Sequence, residues 1–317
     1  MSVVKSSVIA FAVGDAMGVP IEFEKRETLM ENPVTSMIGY GSYDVPSGVW
    51  SDDTSMVLAT MDSFVKRKRV DYNDMAERFC DWVNNAKYTS TNQVFDIGIT
   101  TKYSLIRYWN NKIDATECGG VSINENGNGS LMRILPIALF AYYKRINDDD
   151  LFQIVKNTSS ITHAHEISIL GCFIYVKYIQ SLLSGDGKFL SYQRIKEYDY
   201  EKYFSNESIK AYNRILNNNI NELDLDEIKS SGYVVHTLEA VLWIVLNTND
   251  FTETVIGAIN LGEDTDTIGA IASSIGGILY GFSSIPENWI KEMKNYDYLE
   301  RMCSDFELTL INCDIKW

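Results

Sequence analysis

Residues 262–277 read GEDTDTIGAIASSIGG. Three acids, Glu263, Asp264 and Asp266, stand ahead of a run that is apolar or small almost throughout. Within that run Gly269, Ser273 and Gly277 recur four apart, with Ala272, Gly276 and Tyr280 beside them. Side chains four apart share one face of a helix. A face without bulk lets a second helix approach closely. The spacing predicts a helix over 266–280 at the centre of a helical bundle. The apolar stretch 267–282 is too short to cross a bilayer and is rich in Ser and Gly, which points to a buried core helix.

Outward from this segment, apolar periodicity predicts further helices at 6–17, 52–66, 72–84, 99–109, 131–144, 165–183 and 237–246. Pro20 stops the first of them. Strands do not alternate with helices, so a doubly wound sheet is disfavoured, and no fixed-period repeat is visible. The reading is an all-α protein in one domain over 1–317. Residues 185–227, which include NNNIN and DLDE, are the most polar and irregular part and are expected to form a solvated insertion or excursion.

Composition narrows the function classes. The 317 residues can bury a large core, and 45% hydrophobic content is that of a globular protein. The formal net charge of −15 disfavours a nucleic-acid clamp, which needs a basic surface. It leaves open an anionic ligand held by metal ions and backbone N–H groups. The five cysteines form no CxxC pair and are odd in number, so no disulfide framework or zinc site is expected and a cytoplasmic location is read. Charge and glycine interrupt the N-terminal run MSVVKSSVIAFAVGDAMG early, so it is not read as a signal peptide. No membrane contact is expected, and the chain is taken as a monomer.

A second acidic cluster mirrors the first. In VWSDDTSM, Ser51, Asp52 and Asp53 precede another apolar helix. Capping explains either cluster alone, because Ser and Asp accept backbone N–H bonds and acids favour the positive helix end. Together, Ser51, Asp52, Asp53, Asp264, Asp266 and Thr267 offer a hydroxyl and two carboxylates twice over. If the two helix starts meet, their carboxylates need a cation between them. Hard oxygen ligands without His or Cys select Mg²⁺ or Mn²⁺ over zinc. The ligand count suits two ions.

The chain resembles the ADP-ribosylglycohydrolase family, which includes the dinitrogenase-reductase-activating glycohydrolases. The matching pieces, in order, are GDAMGVPIEF, SDDT, FDIGITT, GNGSLMRILPIAL, ITHAHE, SGYVVHTLEAVLW and GEDTDTIGAIA, spread between Phe11 and Trp289. The resemblance implies a compact, orthogonal all-α bundle around a binuclear magnesium or manganese site. It implies hydrolysis of the bond joining ADP-ribose to an acceptor, for which arginine on a protein is the first expectation. It places the metal on Ser51, Asp52, Asp53, Asp264, Asp266 and Thr267; the family usually has threonine where Ser51 stands. It assigns catalytic roles to Glu22, Asp53 and Asp264. Asp96 is implied near the substrate, the glycine-rich turn Gly127, Asn128, Gly129 and Ser130 at the diphosphate, and His163 at the phosphates or ribose. Tyr233 is a stacking face for adenine or a packed core ring. Arg133 adds charge to the phosphate site or forms a structural ion pair.

Three rivals stand beside this reading: hydrolysis of a serine, nucleic-acid-base or small O-linked conjugate; a non-catalytic ADP-ribose-binding module; and a structural protein that keeps the fold alone. The intact acids favour the enzyme.

Overall fold

The computed structural model describes residues 2–317. Sixteen α-helices follow one another among the described residues, and β-pairing is limited to isolated bridges. The first half holds α1 (Val3–Gly18), α2 (Arg26–Glu31), α3 (Asp52–Arg67), α4 (Tyr72–Asn85), α5 (Ile99–Asn111), α6 (Leu135–Lys144), α7 (Asp148–Ser160) and α8 (Glu166–Leu183). The second holds α9 (Lys188–Lys196), α10 (Asn206–Ala211), α11 (Asn213–Asn217), α12 (Val234–Asn247), α13 (Phe251–Ile259), α14 (Thr265–Tyr280), α15 (Glu287–Glu292) and α16 (Tyr296–Asn312).

The axis of the fold is the pair α1 and α14. Every residue of α1 from Ser6 to Gly18 is buried, as is α14 from Thr265 to Gly277. A helix apolar on all sides belongs inside a protein. A Cβ added at Gly14 would lie 2.2 Å from the Gly269 carbonyl oxygen, and one at Gly277 would lie 2.4 Å from that of Ser6. The two helices therefore meet backbone to backbone, as the small-residue spacing of α14 predicts. Most of their hydroxyls are satisfied: Ser6 and Ser7 donate to carbonyls of their own helix region, and Ser274 meets the Tyr175 hydroxyl at 2.9 Å, while the Ser273 hydroxyl, against Gly14, has no partner among the described residues. The segment Val3–Ile21, which is α1 with the turn after it, and α8 are long and apolar enough to cross a bilayer, but most of each is covered by protein.

Two expectations change. The helix read over 131–144 begins at Leu135. Pro136 lacks an N–H and fits only the first turn, so the helix starts there and 128–133 form a turn instead. The polar segment 185–227 carries α9, α10 and α11, and buries Tyr192, Ile195, Tyr200, Tyr212, Ile215 and Ile220 in the common core. Its polarity describes its outer face.

The α1–α14 packing also sets the site. Gly18 ends α1 where an added Cβ would lie 2.3 Å from the Asp266 Cα, so the C-terminal end of α1 abuts the start of α14. Asp15, on the last turn of α1, accepts hydrogen bonds from the Ser51 N–H at 2.9 Å, the Thr54 N–H at 3.0 Å and the Thr54 hydroxyl at 2.6 Å. One carboxylate thus fastens the start of α3 to α1. Arg26 donates to the carbonyls of Leu261, Leu225 and Ile228, pinning the loop before α14.

Candidate active site

The two acidic helix starts converge. The Thr267 hydroxyl donates to Asp53 Oδ2 at 3.2 Å across 214 residues of sequence, and the Ser51 hydroxyl reaches the same oxygen at 3.1 Å. Ser51 also caps α3 by accepting from the Asp53 N–H at 3.2 Å. Asp264 stands at the cap position of α14 without making a side-chain cap bond. Its Oδ2 instead accepts from Asn128 Nδ2 at 2.7 Å, tying the glycine-rich turn to the acids. Asp266 Oδ1 accepts from the Thr267 N–H at 2.8 Å.

Carboxylate oxygens of Asp15, Asp53 and Asp266 lie within 4.8 Å of one another, as do those of Glu22, Asp96 and Asp266. Asp266 belongs to both groups. Asp52 and Asp264 line the adjoining cleft. Three buried oxygens, Glu22 Oε2, Asp53 Oδ1 and Asp266 Oδ2, have no hydrogen-bond partner. Burial, and then the charge of neighbouring carboxylates, pushes Glu22 up to about 9. Burial first and Asp96 next hold Asp52 well above the usual carboxylate range, while Asp15 follows burial for Asp53 and Glu22 follows it for Asp266. Burial raises Asp15 to about 6 and raises Asp264 as well. These acids cannot all be ionised together without a positive charge among them. The oxygen-only donor set and the orphaned oxygens fit a hard divalent cation.

Glu22 follows the short turn Val19–Ile21 and is held by its neighbours. Phe23, at φ +68°, donates its N–H to the Glu263 carbonyl at 2.6 Å, and Glu263, at φ +60°, donates back to Glu24 at 2.9 Å. Two non-glycine residues in left-handed backbone conformations bracket the acids, a cost typical of functional sites. Asp96 has φ +56° and lies outside α5, whose N-cap is Gly98, so it does not serve as a helix cap. The Tyr43 phenol sits against both Glu22 and Asp96.

A cleft of about 280 Å³ opens beside the acids, lined by Glu22, Asp52, Asp96, Asp264, Thr267, Gly127, Asn128, Gly129 and His163, among others. A larger concavity, about 1040 Å³, lies between α6, α8 and α9 and contains none of these residues; charge and orphaned acceptors, not size, locate the chemistry. Gly129 permits close approach: a Cβ there would lie 2.8 Å from the His163 ring. The turn's N–H groups are not a helix N-terminus, because α6 starts later; the Asn128 N–H donates to the Gly232 carbonyl. Ser130 points away from the cleft, bonded to Cys172 Sγ at 3.4 Å and Ser159 at 2.9 Å. Tyr233 stays outside the lining, with its ring edge-on to His236 at 5.0 Å. Arg133 is fully buried and meets neither a carboxylate nor the cleft.

The family model described as ADP-ribosylglycohydrolase matches residues 2–313. The chain belongs to the ADP-ribosylglycohydrolase family. It is 31% identical over 301 residues to the ADP-ribosylarginine hydrolase Tri1 of Serratia proteamaculans, covering 94% of this chain and 77% of that one. It is 29% identical over 288 residues to the ADP-ribosyl-[dinitrogen reductase] glycohydrolase of Rhodospirillum rubrum, covering 90% and 88%. A solved structure titled ADP-ribosylglycohydrolase-related protein complex superposes with a TM-score of 0.79 at 26% identity, covering 98% of this chain and 97% of that one. The protein is a hydrolase that removes ADP-ribose from an ADP-ribosylated substrate.

Sequence reasoning about this glycohydrolase missed Asp15, Tyr43 and Thr162. Asp15 had a signal: it is the only charged residue in the otherwise apolar run of residues 8–18. Tyr43 had none, since it reaches the acids from an irregular loop.

Proposed function

We propose that this protein hydrolyses the C1″–N bond between ADP-ribose and an arginine guanidinium, using two divalent cations, Mg²⁺ or Mn²⁺. The observation that carries the reading is the convergence of remote acids, with three orphaned carboxylate oxygens, beside a cleft walled by a glycine turn and a buried histidine. The arginine acceptor is supported by two relatives named ADP-ribosylarginine hydrolase, 31% and 29% identical. The two-ion count is supported by the donors at the two helix starts, Ser51, Asp52 and Asp53 on one and Asp264, Asp266 and Thr267 on the other.

Ser51, Asp52, Asp53, Asp264, Asp266 and Thr267 would hold the cations, which would supply Lewis-acid stabilisation at the distal ribose. Asp264 is aimed by Asn128, and Asp53 by Ser51 and Thr267. Glu22 is the proton carrier. With the site's negative charge balanced by the cations, its carboxylate would take the proton of the water whose oxygen bonds to C1″ and pass it to the departing guanidine nitrogen as the C1″–N bond breaks. Burial first and the charge of Asp96 next raise its proton affinity, and Tyr43 flanks it. The Gly127–Gly129 turn and His163 take the diphosphate. Five free cysteines, four of them buried, support a reducing compartment.

The test is release of free ADP-ribose from arginine-, serine- and base-linked substrates in Mg²⁺. Fastest release from the arginine linkage is expected. Release from another linkage alone overturns the acceptor, and ADP-ribose binding without release from any linkage overturns the enzyme reading.

A further inference from the structure

Arg133 is a buried cation without a counter-ion. It is 0% exposed, and among the described residues no carboxylate pairs with it. Its Nη1 donates to the Thr158 carbonyl at 3.1 Å, its Nε is unpartnered, and the guanidinium lies over the Phe79 ring at 4.8 Å. A buried charge without a counter-ion is costly, and an apolar side chain would fill the space more cheaply. The remaining donor, Nη2, meets Thr162 Oγ1 at 2.8 Å, and that oxygen meets His163 Nδ1 at 2.8 Å.

The direction of this chain follows from donor inventories. Arginine only donates, so the Thr162 oxygen accepts from it. Thr162 is 0% exposed, and its hydroxyl hydrogen has a single acceptor within reach, His163 Nδ1. If Nδ1 carried the proton instead, the Thr162 hydrogen would be buried without a partner, at a cost of about 1–3 kcal/mol. Nδ1 therefore accepts, and the ring proton sits on Nε2. That edge faces the cleft: a Cβ at Gly127 would lie 3.4 Å from Nε2, and His163 lines the cavity.

We propose that Arg133 and Thr162 are positioning residues that hold His163 as the neutral Nε2–H tautomer, so that the cleft meets the ligand's diphosphate with a fixed N–H donor beside the glycine turn. The proposal rests on the reading of the cleft as the ADP-ribose site. Burial, and then the Arg133 charge, lower His163 to about 3, so the imidazole is neutral at neutral pH. Arg133, lowered by burial to about 10, keeps its charge there. Its field adds to the attraction for a phosphate without touching it.

The chain has three histidines, so the ring ¹⁵N signals of the intact protein are few, and His163→Gln identifies the relevant pair. The wild type is expected to show a protonated Nε2 and a hydrogen-bonded, unprotonated Nδ1 at pH 7. ADP-ribose binding is then measured in Thr162→Val, Thr162→Ser, His163→Gln and His163→Asn, with the Mg²⁺ midpoint as a control. Thr162→Val should weaken ADP-ribose about 3–10-fold with the Mg²⁺ midpoint unmoved, and Thr162→Ser should restore it. His163→Gln, which keeps an N–H at the reach of Nε2, should bind about 10-fold more tightly than His163→Asn, which does not. An Nδ1–H ring or an imidazolium in the wild type overturns the proposal, as does wild-type ADP-ribose affinity in Thr162→Val. If the wild type binds ADP-ribose with the wrong tautomer, only this proposal fails. If it binds no ADP-ribose, the reading of the cleft fails, and the diphosphate role of His163 fails with it.

Discussion

Asp266→Asn should move stability in opposite directions with and without metal. Asp266 offers Oδ1 to the Thr267 N–H, and an asparagine oxygen can keep that bond. Its Oδ2 is orphaned and faces two acid groups whose oxygens lie within 4.8 Å. One ionised pair at 4.8 Å repels by about 3.5 kcal/mol at an effective dielectric of about 20. Proton uptake relieves part of this, so about 1–3 kcal/mol remains to be gained by removing the charge from the metal-free protein. For a chain of this size that raises Tm by about 2–5 °C in EDTA. With Mg²⁺ the order reverses. A wild-type site at 100 times its Kd gains about 2.7 kcal/mol, and the variant, short of an anionic ligand, loses most of that gain. The assay is thermal melting across a Mg²⁺ titration, paired with ADP-ribose release. An unchanged Tm in EDTA together with a wild-type Mg²⁺ midpoint would show that the acids only serve the helix ends, and the metal reasoning would be wrong.

Glu22→Gln should lower turnover about 10²–10⁴-fold while ADP-ribose still binds, measured by release kinetics and calorimetry; full turnover removes Glu22 from the chemistry. The chelated protein should lose stability as pH rises. Glu22, raised to about 9, and Asp15, raised to about 6, bind protons in the folded state that the unfolded chain has released. Stability therefore falls between about pH 5 and pH 9, by about 1.4 kcal/mol per pH unit for each proton held. Urea midpoints in EDTA at pH 5.5 and 8 test this, and Mg²⁺ should flatten the slope; a midpoint that rises with pH contradicts it. Gly14→Ala should cost on the order of 3 kcal/mol, because its Cβ would lie 2.2 Å from a backbone oxygen, whereas Gly187→Ala, with nothing within 4 Å, should be neutral; equal urea midpoints would refute the close α1–α14 contact.

Patterns between residues close in the chain are legible from the amino-acid sequence alone. The four-residue spacing of Gly269, Ser273 and Gly277 announces a close helix contact, and SDDT and GEDTDT announce two acidic helix starts. Helix periodicity and cap chemistry involve neighbours one to four residues apart, so a linear reading reaches them. It cannot choose between capping and metal ligation, because that choice depends on whether Asp53 meets Thr267, 214 residues away. The backbone packing of α1 on α14 brings those two residues together. The same packing recruits Asp15 to the acids. Ser130 illustrates the converse: the glycine turn that holds it is visible in the sequence, but its hydroxyl turns to Cys172 and Ser159. Arg133 can be read as added charge near the phosphates or as an ion pair; no carboxylate pairs with it, because its partners in the folded core are Thr158, Thr162 and Phe79. A side chain's residue type states which bonds it can make; which of them it makes depends on partners that only the packed chain brings within about 3 Å.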